Sequence, residues 1–267
     1  MKKFRYLALA IALAGMAPPA FAERIVAAAF AEPVQRYGHF ALGRPHEYAR
    51  LTASTDNGRR LALALPADEV FEDLTPRIVK LAADEPPSIL AIVSQRERGT
   101  RLVLLHLNGA RLEIAAQSAP TGQPRRWLNP VGVADLDGDG RAEIAAVITP
   151  HVGGPLKVYR RQGAELVEVA ALEGGFSNHV FGTTELGLSM PFAIGGKTRL
   201  LVPDVTRTQL RVVGLENGRL VEIGRCALSS PITGAIRMIS AGQVSLGLAT
   251  GRKPLAPAAC PAPSAGR

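Results

Sequence analysis

From residue 76 to residue 251, apolar and polar positions follow one recurring order: an apolar strand, a loop, a second apolar strand, a loop, then a hairpin whose turn contains glycine. One copy takes strands at 77–81, 89–93 and 101–105, then Asn108-Gly109 and 111–114. The next takes 131–134, 144–148 and 156–159, then Gly163 and 166–169. A looser copy starts near His179-Val180-Phe181 and continues through 200–202, 209–213, Asn217-Gly218 and 220–223. The last supplies only 235–239 and 244–248, while 48–52, Asp56-Asn57-Gly58 and 60–65 resemble its missing hairpin.

A period of about 50 residues with alternating hairpins predicts an all-β chain built from four-stranded propeller blades. The expected fold is a small β-propeller of four blades, or five if 25–30 and 38–42 form their own, closed by N- and C-terminal strands sharing one blade. Such closure protects two open sheet edges. The alternative is a β-sandwich of the same strands. Helix-period segments are nearly absent, which argues against an α/β enzyme core.

Composition narrows the class further. The 267 residues are 47% apolar, 20% charged and 5% aromatic, which excludes a collagen, a coiled coil and a wholly disordered chain. Residues 1–22 carry a basic start, the apolar run 7–17 and Ala20-Phe21-Ala22, so a signal peptide cleaved after Ala22 is expected. Met16 stands where a lipidated Cys would be needed, so lipid anchoring is not expected. The expected location is periplasmic or secreted, with no membrane insertion after cleavage. Removing Lys2, Lys3 and Arg5 lowers Lys plus Arg from 31 to 28 against 23 acids, and the net charge from +8 to +5. The remaining arginines form no aromatic-interleaved stripe, so nucleic acid is not an expected partner. The organisation expected is one domain over 23–251 and a disordered Pro/Ala-rich tail over 252–267, which includes Cys260, the only possible disulfide partner of Cys226.

One loop carries recognisable chemistry: Asp135-Leu136-Asp137-Gly138-Asp139-Gly140-Arg141-Ala142-Glu143, between two apolar strands. Carboxylates at alternate positions of a tight loop converge on one hard cation, and oxygen-only ligation suits Ca²⁺. The assigned ligands are the side chains of Asp135, Asp137 and Asp139, the carbonyl of Arg141, and Glu143. Ala146 stands where an EF-hand needs its bidentate Glu, and the flanks are strands, so the loop is not an EF-hand. Aligning Ile89 with Ile144 puts Lys80, Ala82 and Asp84 opposite the three aspartates, so one structural Ca²⁺ site is expected and no ion in that earlier copy.

Residues 131–140, followed by Glu143-Ile144-Ala145, resemble an FG-GAP or VCBS repeat, and weaker copies extend the likeness over most of residues 45–251. Phe71-Glu72-Asp73-Leu74-Thr75-Pro76-Arg77, 126–132 and Ser177-Asn178-His179 are similar to small secreted bacterial VCBS-repeat proteins. The resemblance implies a propeller with Ca²⁺ in inter-strand loops and no particular substrate.

In a propeller, loops between blades and loops joining second to third strands open on one face. That places Arg125, Arg126, Trp127, His151, Asn178, His179 and Asp204 opposite the acidic loop. Trp127, the only Trp, either stacks on a sugar or peptide or packs between blades. The five histidines show no metal spacing, Ser177 lacks a nucleophile elbow, and Glu72 and Asp73 do not by themselves make a glycosidase pair. The leading expectation is a non-enzymatic, Ca²⁺-stabilised binding or scaffold module for a protein or carbohydrate. The alternatives are an extracellular hydrolase or lyase using His151, His179 and Asp204, and an adhesion subunit that depends on a partner.

Overall fold

A computed structural model describes residues 23–263 and shows an all-β molecule. The expected signal peptide lies outside the described residues. Among those described, no helix is long and apolar enough to cross a membrane.

The strands follow one another as antiparallel meanders. The first joins β1 (Ile25–Pro33), β2 (Tyr48–Thr55) and β3 (Arg60–Ala64), and the short β4 (Glu69–Phe71) bridges β2 to the next group. The second runs β5 (Arg77–Val79), β6 (Ser88–Gln95), β7 (Gly99–Asn108) and β8 (Arg111–Ser118). The third runs β9 (Leu128–Ala134), β10 (Glu143–Ile148), β11 (Gly154–Gln162) and β12 (Glu165–Phe176). The fourth runs β13 (Met190–Ile194), β14 (Lys197–Pro203), β15 (Gln209–Glu216) and β16 (Arg219–Ala227). The fifth runs β17 (Ile232–Ser240), β18 (Gln243–Leu248) and β19 (Gly251–Leu255). A parallel contact of β12 with β8 and the β4 bridge merge the first three meanders into one twelve-stranded sheet.

Four apolar cores lie between successive meanders, and the period of two explains how one strand serves two of them. Ile89, Ala91 and Val93 of β6 face Leu51 and Phe71, whereas Leu90 and Ile92 face Trp127, Ile144 and Ala146. Ala145 and Val147 of β10 face Leu200 and Val202, and Leu201 of β14 faces Ile232 and Val244. Strands buried on both faces read as continuous apolar runs, as those of β6 and β10 do. The outermost strands β3 and β19 are largely exposed. At the β15–β16 hairpin, Asn217 and Gly218 both take positive φ (51° and 73°), the geometry of a two-residue turn matched to strand twist.

Four expectations are corrected. The N- and C-terminal strands do not share a blade: β1 pairs with β2, while β17, β18 and β19 form a sheet of their own. Residues 252–263 are not a disordered tail. Gly251–Leu255 supplies the third strand of the last sheet, and a Cys226–Cys260 disulfide fastens the segment behind it to β16. Residues 179–181 are not a strand, because polar contacts rather than a ladder hold them, and the fourth meander starts instead at Met190. Residues 38–42 form a loop whose backbone N–H groups are taken by carboxylates.

Candidate functional site

The acidic loop joins β9 to β10. Asp135 accepts from the N–H groups of Gly138 (2.7 Å) and Gly140 (2.9 Å), and Asp139 accepts from that of Arg141 (2.8 Å). Gly138 and Gly140 take φ near +86° and +85°, which a side chain disfavours. Glu143 starts β10 fully buried and accepts the Leu136 N–H at 2.9 Å. Oxygens of Asp135, Asp137 and Glu143 lie within 4.8 Å of one another, a spacing that fits a hard cation. Of the five residues assigned from sequence, these three come together, while the Asp139 carboxylate turns back on its own loop and the Arg141 side chain reaches out to Glu85 at 2.6 Å.

Arg160 was not anticipated. The register that pairs Ile144 with Tyr159 sets Arg160 of β11 across from Glu143. Its guanidinium donates to Glu143 at 2.6 Å and to Asp137 at 2.6 Å. Hydrogen bonds to Glu143, then to Asp137, hold it still more firmly protonated than a free arginine. A buried carboxylate needs a compensating cation, and Arg160 supplies one. In the earlier copy the corresponding loop packs against this one through Leu81 and Ala82, with Lys80 exposed.

A second polar cluster forms where the loop 34–47, the segment after β4, the start of β9, the β10–β11 turn and the β12–β13 linker meet. His151 stacks flat on Trp127, ring centres 5.6 Å apart, and His179 meets both edge-on at 5.0 and 5.1 Å. His39 and Phe181 complete the group, each against His151, at 6.2 and 5.1 Å. Trp127 is fully buried and donates its indole N–H to the Glu72 carbonyl at 3.0 Å, so it forms the floor of the cluster and offers no free face for stacking.

The partners fix the ring tautomers. His179 Nε2 lies 2.9 Å from the Thr183 carbonyl, which can only accept, so Nε2 carries the proton and Nδ1 the lone pair. His151 Nδ1, 3.2 Å from His179 Nδ1, must then be the donor. That leaves a lone pair on His151 Nε2, which is buried without a protein partner. Burial pushes the His151 imidazole down to about 3 and His179 below its ordinary value, so both are neutral near pH 7. His39 Nδ1 lies 2.9 Å from a Glu72 oxygen. Glu72, itself buried, also accepts from the Ser94 hydroxyl at 2.6 Å.

Asn178 stands beside this group. It exchanges amide-to-carbonyl bonds with Asn129 at 3.1 and 3.2 Å and donates to Ser189 at 3.0 Å. Asp204 does not join the cluster; it caps the β14–β15 turn through the Gln209 N–H (2.9 Å) and Thr206 hydroxyl (2.6 Å). Sequence reasoning thus brought Trp127, His151, Asn178 and His179 to one place but missed His39, Glu72 and Phe181. The one available signal for Glu72 was its position in the segment 71–77. Grooves of about 830 and 470 Å³ lie elsewhere, the second against Asp135 and Asp137.

No protein-family model matches the chain, and no curated protein matches it. The FG-GAP/VCBS resemblance therefore rests on residues of this sequence alone.

Proposed function

We propose that the chain is a secreted or periplasmic, Ca²⁺-stabilised binding or scaffold module of the small-propeller type. The observation that carries it is the convergence of Asp135, Asp137 and Glu143 oxygens within 4.8 Å in a glycine-shaped loop between strands. Oxygen donors of this number and charge suit Ca²⁺, with the ion bracing the β9–β10 connection rather than performing chemistry. Binding requires Arg160 to leave Asp137 and Glu143, so affinity reflects an exchange of one cation for another.

Successive meanders with four face-to-face cores support the propeller-type arrangement over a two-sheet sandwich, which has a single core. A serial, sandwich-like stack is the second reading, favoured because none of the four cores contains residues of both the first and the last meander. The ligand class in either case is a protein or carbohydrate meeting the face that holds the histidine cluster.

The test is a calcium titration of residues 23–267 by calorimetry, with thermal unfolding in parallel, on wild type and Asp137→Ala. One equivalent bound, with a rise in Tm in wild type only, is the expected result. No heat and no shift in either protein overturns the calcium reading and leaves the loop a turn closed by Arg160.

A further inference from the structure

The histidine cluster holds two imidazole nitrogens that no protein group uses. The chain from Thr183 through His179 to His151 ends in the lone pair of His151 Nε2, buried and unpaired. On the neighbouring ring, Glu72 occupies His39 Nδ1, and Nε2 makes no protein hydrogen bond among the described residues. The two rings lie 6.2 Å apart, and Phe181, about half exposed, caps both at 5.7 and 5.1 Å.

His39 is held with unusual expense. Glu47, fully buried, accepts from the N–H groups of Tyr37 (3.2 Å), Gly38 (2.9 Å) and His39 (3.0 Å). Glu72, also buried, grips the His39 ring and the Ala41 N–H. Burying two carboxylates to fix one imidazole costs stability that plain packing of the loop does not require.

We propose that His39 and His151 together bind one borderline transition-metal ion, of the Zn²⁺ or Cu²⁺ kind, through their Nε2 atoms beside Phe181. Imidazole donors select such ions over Ca²⁺ or Mg²⁺. Two imidazoles bonded at about 2.0–2.1 Å to one ion have ring centres about 5–6 Å apart, close to the separation seen here. A carboxylate on the far nitrogen of His39 is the usual outer support of a ligating histidine, fixing its tautomer and raising its basicity. His179 acts as a positioning residue, since both of its nitrogens are engaged and one of them sets the His151 tautomer.

The sole tryptophan lies against His151, so Cu²⁺ at this site quenches its fluorescence. The experiment titrates Cu²⁺ into the calcium-loaded mature chain and follows Trp127 emission, with Zn²⁺ as competitor. The expected result is saturable quenching at one equivalent, relieved by Zn²⁺. His39→Gln and His151→Gln should each raise the half-saturating concentration at least tenfold, and His106→Gln on β7 should leave it unchanged. Asp137→Ala should leave it unchanged as well, which separates this site from the acidic loop whatever the fate of the calcium reading. Quenching that does not saturate, or the same midpoint in the His39 and His151 variants, overturns the proposal. Should those variants lose their near-ultraviolet dichroism, the wild type decides by ¹⁵N histidine spectroscopy. Zn²⁺ should shift the Nε2 resonances of His39 and His151, and unmoved resonances overturn the assignment.

Discussion

The acidic loop and the histidine cluster handle polar groups in opposite ways. The loop is local: its four carboxylates lie within nine residues, Asp137 and Asp139 are exposed, Asp135 is half-buried and only Glu143 is buried, and their partners are the loop's own N–H groups plus one arginine across a hairpin. The cluster is assembled from five separate segments, with contacts such as His39 to Glu72 and Trp127 to Glu72 spanning 33 and 55 residues. A local site can form or reorganise without the rest of the molecule, whereas a distributed one exists only once the second and third meanders have packed. The loop's chemistry should therefore change with little loss of fold, and the cluster's should not.

The sharpest way to break this contrast is Trp127→Ala. It empties the centre of the core shared by β6 and β10, and a cost of about 3–5 kcal/mol in urea-unfolding stability is expected. A loss below about 1 kcal/mol would mean the cluster is not structural. Glu143→Ala should come next at about 2 kcal/mol, less than a fully buried pair because Arg160 is partly exposed. Asp137→Ala in the presence of chelator should fall below about 1 kcal/mol, as expected for a partly exposed ion pair.

Acid should separate the two sites further. The folded-state value of about 3 for His151 lies below its unfolded value, so between roughly pH 6.5 and 3 the unfolded chain binds the extra proton. Stability should therefore fall as pH drops through that window. His151→Gln should flatten the slope of Tm against pH there, and an unchanged slope would assign the acid sensitivity to other groups. The smallest effect in folding terms is expected from Arg160→Gln. It removes the resident cation of the acidic loop, so calorimetry should show calcium binding at least tenfold tighter than in wild type, with little change in Tm once calcium is saturating.

The same contrast explains what the sequence made legible. The strands β6, β7, β10, β14 and β15 announce themselves because burial on both faces makes them continuous apolar runs, and the acidic loop does so because its spacing is its geometry. The last strand was hidden because Gly251–Leu255 is basic and contains Pro254, so its place depends on pairing with β18 rather than on propensity. His179-Val180-Phe181 imitates a strand only because a buried histidine sits beside two apolar residues. Arg160 and His39 could not be chosen from other arginines and histidines, since their roles come from cross-strand register and long-range packing.

The serial arrangement of the cores also has a mechanical side. The strands of each interior meander share apolar cores only with those of its two neighbours, so a load applied at the chain ends should peel the molecule meander by meander instead of rupturing it at once. At the C-terminal end such peeling meets a covalent stop: the Cys226–Cys260 bond closes a loop over the whole of β17, β18 and β19. While it is intact, the last sheet can detach but cannot be drawn out to full length, and tension entering from that end passes directly to β16. Built this way, the fold yields first from its N-terminal side, where β1 and β3 have no comparable fastening.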